Sequence, residues 1–311
     1  MISIYTTDDG RLSELESIEP GAWIDLCDPT EEEMLRVSTQ LQVDIGSIRA
    51  ALDEEERSRI EQEDNHLLIL VDTPTVEVQP QRGFFYTTLP FGIILTDHNI
   101  ITVCLKESAL ARAFSDSPVK NFSTKKKNRM TLQLLYRNAT LFLFYLREVD
   151  KASSRVENEL HISMKNKELI QMLGLEKSLV YFSTSLKGNE MVLEKMMRLD
   201  FVKAFPDDRE LLEDVIIENK QAIEMSNIYR DILSGTMDAF ASVISNNLNI
   251  VMKVLASVTI ILTVPSIVFA LWGANVPVPF EHSPWGFWFV IAVATLLTAA
   301  SVVLMIRKKW L

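Results

Sequence analysis

The stretch NIVMKVLASVTIILTVPSIVFALWGAN, residues 249–275, decides the fold of this chain. From about Ile250 to Leu271 it is apolar, and it is long enough to cross a hydrocarbon layer of about 30 Å, which takes roughly 20 helical residues. A second apolar segment runs from about Trp285 to Ile306. The sequence therefore predicts a hairpin of two membrane-spanning helices joined by a loop over 272–284, at the end of an otherwise charged chain.

The composition limits the partners of this chain. Its net charge is −11 over 311 residues. An acidic balance argues against nucleic acid and against an anionic membrane surface as partners, and it is compatible with attracting cations. Its two cysteines, Cys27 and Cys104, stand far apart in apolar, strand-like contexts, which predicts buried thiols of a cytosolic domain rather than a disulfide framework.

Basic residues predict the orientation of the hairpin. Lys253 lies at the start of the first span and residues 307–309 are basic, whereas the loop contains no Lys or Arg and only Glu281 and His282 as titratable groups. By the positive-inside rule both termini are expected in the cytoplasm and the loop outside. We expect a multi-pass protein of the inner or plasma membrane, without a cleaved signal at its N-terminus.

The first part of the chain is expected to form an α/β domain. Thr30 followed by Glu33 is a capping-box pattern that predicts a helix start, and a second helix is expected over about Ile45–Asp53. Asp97-His98-Asn99 is a plausible hairpin turn between two strands. The predicted strands are Ile2–Thr6, Trp23–Cys27, His66–Val78, Phe84–Leu95 and Asn99–Leu105.

From Met130 onward the pattern is helical. Residues 132–160 place apolar side chains at alternating steps of three and four, which predicts a coiled-coil-like helix, and another helix is expected over about Asn166–Leu199. After Pro206 the helical pattern continues into the first span, a rod of roughly 95–100 Å at 1.5 Å per residue. The expected organisation is an α/β domain (1–128), long antiparallel helices (129–205), a stalk helix (206–249), a first membrane helix (250–271), the outer loop (272–284), a second membrane helix (285–306) and a basic tail (307–311).

One face of this rod is narrow and polar. We call this face the stripe. Two interpretations fit it: small and hydroxyl residues allow close helix packing, or they line an aqueous path within a ring of identical helices. The extension of the stripe to an amide and an acid outside the span favours a cation path, which requires a homo-oligomer. The stripe consists of Asp238, Ser242, Ser245, Asn249, Met252, Ala256, Thr259, Thr263 and Ser266.

Several segments, in order along the chain, resemble the CorA magnesium transporters. The strongest are residues 249–255 at the start of the first span, the aromatic-Gly-x-Asn loop at 272–275, and residues 308–311. Residues 51–61 and the stalk Asp238 support the resemblance, which covers essentially the whole chain. The loop departs from the usual Gly-Met-Asn of the family, because Ala274 stands between Gly273 and Asn275.

The resemblance implies a homopentameric funnel of α+β membrane proteins in which the first spans line the pore. It implies a selectivity filter at Gly273, Ala274 and Asn275, and pore-lining roles for Asp238, Asn249, Met252, Ala256, Thr259 and Thr263. It also implies that regulatory Mg²⁺ binds between cytosolic subunits at Asp214, with Asp53 or Glu54 as substitutes for an acid that would align with Ala51.

The expected function is therefore channel-like import of Mg²⁺, with Co²⁺ or Ni²⁺ as further substrates, driven by the membrane potential. A zinc or other divalent-cation transporter of the same fold is one alternative, and a non-conducting membrane-anchored sensor is another. We expect no enzyme activity and no nucleotide partner. The four histidines are dispersed, and neither a catalytic triad nor a phosphate-binding loop is visible.

Overall fold

The computed structural model describes residues 1–8, 11–79, 83–107, 109–110, 114, 122–163, 166–199, 206–274, 277–280, 283–308 and 310. The chain divides into two compact units, Met1–Thr236 and Met237–Leu311. The division falls within the segment 206–249 that the sequence analysis assigned to the stalk.

Within the described residues, seven strands of the first unit form one sheet in the order β2-β1-β3-β7-β6-β5-β4. The pair β3–β7 is parallel and the other neighbours are antiparallel. The long strands and the hairpin between β6 and β7 confirm the predicted α/β domain. The strands are β1 (Ile2–Asp8), β2 (Arg11–Glu14), β3 (Trp23–Cys27), β4 (Arg59–Gln62), β5 (Leu67–Gln79), β6 (Gly83–Leu95) and β7 (Ile100–Cys104).

The edge strands β2 and β4 were not predicted. Each has only four residues, so the alternation of apolar and polar side chains that marks a strand is too short to recognise. Both lie at the ends of the strand order, where they pair with a single neighbour.

The helices follow the predicted order. The long helices begin and end within a few residues of the expected positions. The helices are α1 (Glu31–Leu41), α2 (Ile45–Ala50), α3 (Lys127–Ser163), α4 (Asn166–Arg198), α5 (Pro206–Trp272) and α6 (Gly286–Arg307).

The start of α1 confirms the predicted capping box. The backbone N–H of Glu33 donates to Thr30 Oγ1 at 3.3 Å, and the N–H of Thr30 donates to Glu33 Oε2 at 2.9 Å.

The predicted range of α2 was too long, since this helix ends at Ala50 rather than Asp53. Asp53 Oδ1 instead accepts the N–H of Glu55 at 3.0 Å, a local turn that competes with helix continuation.

The sheet of the first unit has a hydrophobic core on each face. One core joins Ile24 and Ile101 of the sheet to Val37 of α1 and Ile48 of α2. The other joins sheet residues such as Trp23 to α3, α4 and the beginning of α5. The apolar seam predicted for α3 is buried along most of its length, including Leu132, Leu135, Ala139, Phe142, Leu146, Val149 and Leu160.

Two consecutive side-chain hydrogen bonds cross the junction of β3 and β7. Trp23 Nε1 donates to Thr102 Oγ1 at 2.8 Å, and Thr102 Oγ1 donates to Asp25 Oδ1 at 2.6 Å. Burial of the carboxyl group is the main cause that raises the pKa of Asp25 to about 6, and the negative charge of Glu107 adds to it, whereas the hydrogen bond from Thr102 opposes it. The folded protein therefore holds the proton on Asp25 more tightly than the unfolded chain does.

This raised pKa predicts a loss of stability as the pH rises from about 4 to about 6. In that window the folded state binds more protons than the unfolded state, so the free energy of unfolding falls, by about 2 kcal/mol after allowance for residual solvent contact. Asp25→Asn removes the titration, so the difference in unfolding free energy between wild type and variant changes across this window. Chemical unfolding of the full chain in detergent at pH 4, 5, 6 and 7 measures it. The exposed Glu32→Gln is the control, and a constant difference between wild type and Asp25→Asn would contradict the assignment.

Candidate ion pathway

The second unit contains two helices long and apolar enough to cross a membrane, α6 and the part of α5 that ends at Trp272. Two side chains of this part of α5, Ser257 and Val268, are buried, and Ala294 and Met305 are buried on α6. Pro265 and Phe269 of α5 line a pocket of about 520 Å³ together with residues of α6. These observations define the face of α5 that packs against α6.

The stripe lies on the opposite face of α5. At 100° per residue, Thr259 and Thr263 stand about 120–180° around the helix from the buried Ser257 and Val268, and about 80–120° from Phe269. Both threonines are exposed in the single chain, as is the side chain of Ser266. Helix α6 therefore leaves the polar face uncovered, and α5 separates this face from α6.

The hydroxyl groups of the stripe point their protons back into the helix. Thr259 Oγ1 donates to the carbonyl of Leu255 at 2.8 Å, and Thr263 Oγ1 donates to the carbonyl of Thr259 at 2.7 Å. Ser266 Oγ donates in the same way to the carbonyl of Leu262 at 2.9 Å. With the proton engaged, each oxygen presents only acceptor lone pairs outward. This chemistry suits a cation or its bound water, whose protons need acceptors.

The remaining predicted pore residues lie toward the start of the span and before it. Asp238 and Asn249 are exposed, and Met252 is 56% exposed, as are many apolar side chains of this span in the single chain. Ser242 Oγ donates to the backbone carbonyl of Asp238 at 3.0 Å, which extends the acceptor pattern beyond the span. Ala256 is half-buried, and at 100° per residue it lies about 20° around the helix from Thr263, within the stripe.

An aromatic cluster anchors the described part of the loop between the two helices. Trp272 Nε1 donates to the carbonyl of Pro279 at 3.3 Å, and its ring lies 6.2 Å from that of Phe289. Phe280 lies 4.9 Å from the Phe289 ring, and Gly286 approaches the Phe280 backbone so closely that no Cβ would fit. Of these residues, the sequence motif had indicated only Trp272, although aromatic side chains at both ends of a membrane loop are a recognisable signal.

The structure places part of the predicted filter. Gly273 continues the end of α5, with its N–H donating to the carbonyl of Phe269 at 2.9 Å, and Ala274 follows as an exposed residue. Asn275 lies outside the described residues, as do Glu281 and His282 of the loop and Lys309 of the tail.

The predicted regulatory residues are exposed carboxylates of the first unit. Asp214 lies on the surface of α5, and Asp53 and Glu54 lie in the turn after α2. Ala51 is fully buried, and its Cβ lies against Gly92 of β6, so position 51 faces the core. Among the described residues of one chain, no three His, Cys, Asp or Glu side chains gather into a metal site. Hard carboxylate oxygens suit Mg²⁺, but a site built from these residues needs groups from a second chain.

Comparison with known proteins identifies the class. Residues 20–308 match the CorA-like Mg²⁺ transporter protein family. The cobalt/magnesium transport protein CorA of Methanocaldococcus jannaschii is 30% identical over 304 residues, covering 93% of this chain and 91% of the relative. The CorA protein of Thermotoga maritima is 28% identical over 180 residues, covering 55% of this chain and 49% of that relative.

A solved structure shares the whole fold. The complete structure of the CorA magnesium transporter from Methanocaldococcus jannaschii superposes with a TM-score of 0.86 at 24% identity, covering 100% of this chain and 99% of that chain. With its α/β unit, long helices and two apolar C-terminal helices, this chain is a membrane protein of the transporter class. It belongs to the CorA-like Mg²⁺ transporter family.

The position of the stripe predicts which introduced cysteines meet water. In a background lacking Cys27 and Cys104, we expect Thr259→Cys and Thr263→Cys to react with a membrane-impermeant methanethiosulfonate reagent. Val258→Cys and Leu262→Cys are matched controls, because these residues are also exposed in the single chain but lie off the stripe. Labelling in native membranes, read by mass spectrometry, decides between a water-lined path and close packing. Equal protection of all four positions would favour packing.

Proposed function

We propose that this chain is one subunit of a homopentameric, channel-like transporter that admits Mg²⁺ to the cytoplasm. The observation that carries the proposal is the row of acceptor oxygens on the face of α5 opposite α6. One hairpin cannot enclose a water-filled route, so several copies must turn this face toward a common axis. The family, and the cobalt/magnesium transport of the Methanocaldococcus jannaschii relative, support Mg²⁺, with Co²⁺ as a further substrate.

Magnesium gives up its water reluctantly and prefers octahedral oxygen. A route for the hydrated ion therefore needs hydrogen-bond acceptors for its water protons. Thr259, Thr263 and Ser266 supply such acceptors, because their own protons are bonded to helix carbonyls. Asn249 would add an amide ring, and Asp238 would concentrate cations near the cytoplasmic end.

In this proposal, the membrane potential is the driving force for Mg²⁺ entry. A divalent ion that moves inward gains about 4.6 kcal/mol per 100 mV, twice the value for a single charge. We propose passive transport rather than catalysis, with both termini in the cytoplasm of the inner or plasma membrane. The exposed, apolar Met252 would form a narrow ring that closes the route by excluding water.

The filter assignment predicts different results for two neighbouring substitutions. Asn275→Ala removes an amide from each subunit and is expected to lower Mg²⁺ uptake by about tenfold or more, a loss equivalent to about 1.4 kcal/mol in the barrier. Ala274→Met is expected to retain uptake, because a thioether is not a ligand for hard cations and position 274 would serve loop packing.

Mg²⁺ flux into proteoliposomes measures both variants, with Zn²⁺ and Co²⁺ competition in the same assay. Uptake unchanged in Asn275→Ala would contradict the filter assignment. Stable wild-type oligomers without any metal-dependent uptake would instead favour the membrane-anchored sensor. Preference for Zn²⁺ over Mg²⁺ would favour a zinc transporter of the same fold.

We further propose that Mg²⁺ in the cytoplasm holds the pore closed. Asp214 of one subunit and Asp53 or Glu54 of its neighbour would bind the ion, whose charge offsets the repulsion between their carboxylates. Asp214 lies on α5, the same continuous helix that carries the stripe. Loss of the ion would let the carboxylates repel one another and the helices separate.

This regulation predicts that Asp214→Asn weakens inhibition by internal Mg²⁺. The concentration for half-maximal inhibition should rise several-fold, because a ligand charge is lost from each site. Glu213→Gln is the matched control, since Glu213 is a neighbouring exposed acid that already pairs with Arg209 at 3.2 Å. Flux into proteoliposomes loaded with increasing Mg²⁺ gives both values. Identical inhibition curves for wild type and Asp214→Asn would exclude Asp214 from the regulatory site.

A further inference from the structure

The two cysteines, which stand far apart in sequence, meet at the ends of two adjacent strands. Cys27 is the last residue of β3 and Cys104 is the last residue of β7. In the parallel ladder between these strands they are direct Cα partners. Both are in the reduced thiol form, and the side chain of Cys104 is hydrogen-bonded to that of Cys27.

This placement satisfies the main geometric condition for a disulfide. Neighbouring strands lie about 4.8 Å apart, and disulfides join Cα atoms separated by about 4.4–6.8 Å. Partners in register point to the same face of a sheet, and here the contact between the thiols shows that they do. The two thiols therefore already lie in contact before any bond forms.

The two thiols differ in their access to solvent. Cys27 is half-buried, whereas Cys104 is only 2% exposed. A small oxidant therefore reaches Cys27 first, and the sheltered Cys104 stands beside it as the resolving thiol. An accessible cysteine beside a resolving cysteine is one of the features of reversible redox sites.

We propose that Cys27 and Cys104 form a reversible intramolecular disulfide when a peroxide reaches the protein. The Cys27 thiol first loses its proton; the thiolate attacks hydrogen peroxide, the O–O bond breaks, and the departing hydroxide takes up the released proton to leave as water. The Cys104 sulfur then attacks the sulfur of the Cys27 sulfenic acid, the S–O bond breaks, and the departing hydroxide takes the Cys104 proton to leave as a second water. Two thiols are oxidised and one peroxide is reduced; two cellular thiols then restore both cysteines by exchange through a mixed disulfide and are themselves joined as a disulfide.

The bond would tie together the two halves of the sheet. On one side lie β2, β1 and β3, on the other β7, β6, β5 and β4. The β3–β7 ladder joins these halves through five residue pairs, from Trp23 with Ile100 to Cys27 with Cys104. A covalent link at its end prevents this ladder from opening.

The surroundings of Cys27 set the speed of the reaction. Burial raises the pKa of the Cys27 thiol, and the charges of Asp25 and Glu107 add to this, whereas the Cys104 hydrogen bond and the N-terminal amine oppose it. Thiolate is therefore scarce at neutral pH. As long as the pH is below the pKa of Cys27, the rate of oxidation should rise by about tenfold for each unit by which the pH increases.

The experiment treats the full-length protein in detergent with hydrogen peroxide at pH 8 and then titrates thiols after unfolding. We expect two titratable thiols before treatment and none after it. The intact mass should fall by about 2 Da for the two lost hydrogens. A peptide linking Cys27 to Cys104 should appear under non-reducing conditions, and dithiothreitol should restore both thiols. Amide hydrogen exchange of β3 and β7 should slow on oxidation.

Cys27→Ser and Cys104→Ala are the control variants. If Cys104→Ala fails to fold, Cys104→Ser replaces it as the control at position 104. Each single variant should keep one thiol or form a sulfenic acid, with no intramolecular link and no change in exchange. Two free thiols in oxidised wild type, or only intermolecular links on a non-reducing gel, would overturn the proposal. Unchanged exchange in a fully cross-linked protein would overturn the inferred effect on the ladder.

Discussion

The absence of water from the core of a bilayer is the constraint on which the membrane-spanning unit depends. A polar side chain in that region must face another protein surface or a water-filled cavity. Helix α5 meets the constraint in two ways. It buries one face against α6 and satisfies the hydroxyl protons of Thr259, Thr263 and Ser266 within its own backbone. What remains is a line of acceptor oxygens that a single hairpin leaves uncovered.

In the proposed pathway, this arrangement would favour cations as the solute. Oxygens whose protons are already bonded can accept hydrogen bonds but cannot donate them, so they suit hydrated cations and not anions. The net charge of −11 acts in the same direction by raising the local cation concentration. A strongly hydrated divalent ion benefits most, because its water molecules carry polarised protons and are costly to remove. Membership of the CorA-like Mg²⁺ transporter family agrees with this chemistry.

The sequence predicted structural elements correctly where they follow from a long periodic pattern or from a short local motif. The apolar spans, the seam of α3 and the capping box at Thr30 follow from periodicity or from a short motif, and the structure confirms them. The short edge strands β2 and β4 carry too few residues for a pattern. The end of α2 depends on a turn at Asp53 that the apolar pattern does not reveal.

The candidate pathway, too, was predictable from the sequence only in part. Helical periodicity alone placed the stripe on one face, but only the structure shows that this face lies opposite α6 and that its hydroxyl protons are engaged. The meeting of Cys27 and Cys104 depends on the parallel pairing of β3 and β7, which joins residues 77 positions apart (104 less 27). Such long-range pairing has no signature in a single sequence.

The central claim is that identical copies of this chain turn their acceptor faces toward a shared, hydrated axis. A cryo-electron microscopy map of the intact assembly in a lipid nanodisc tests this most directly. The account predicts a ring of α5 helices around a central conduit, with Thr259, Thr263 and Ser266 facing it and α6 on the outside. A map with these side chains against lipid, or with α6 lining the centre, would contradict it.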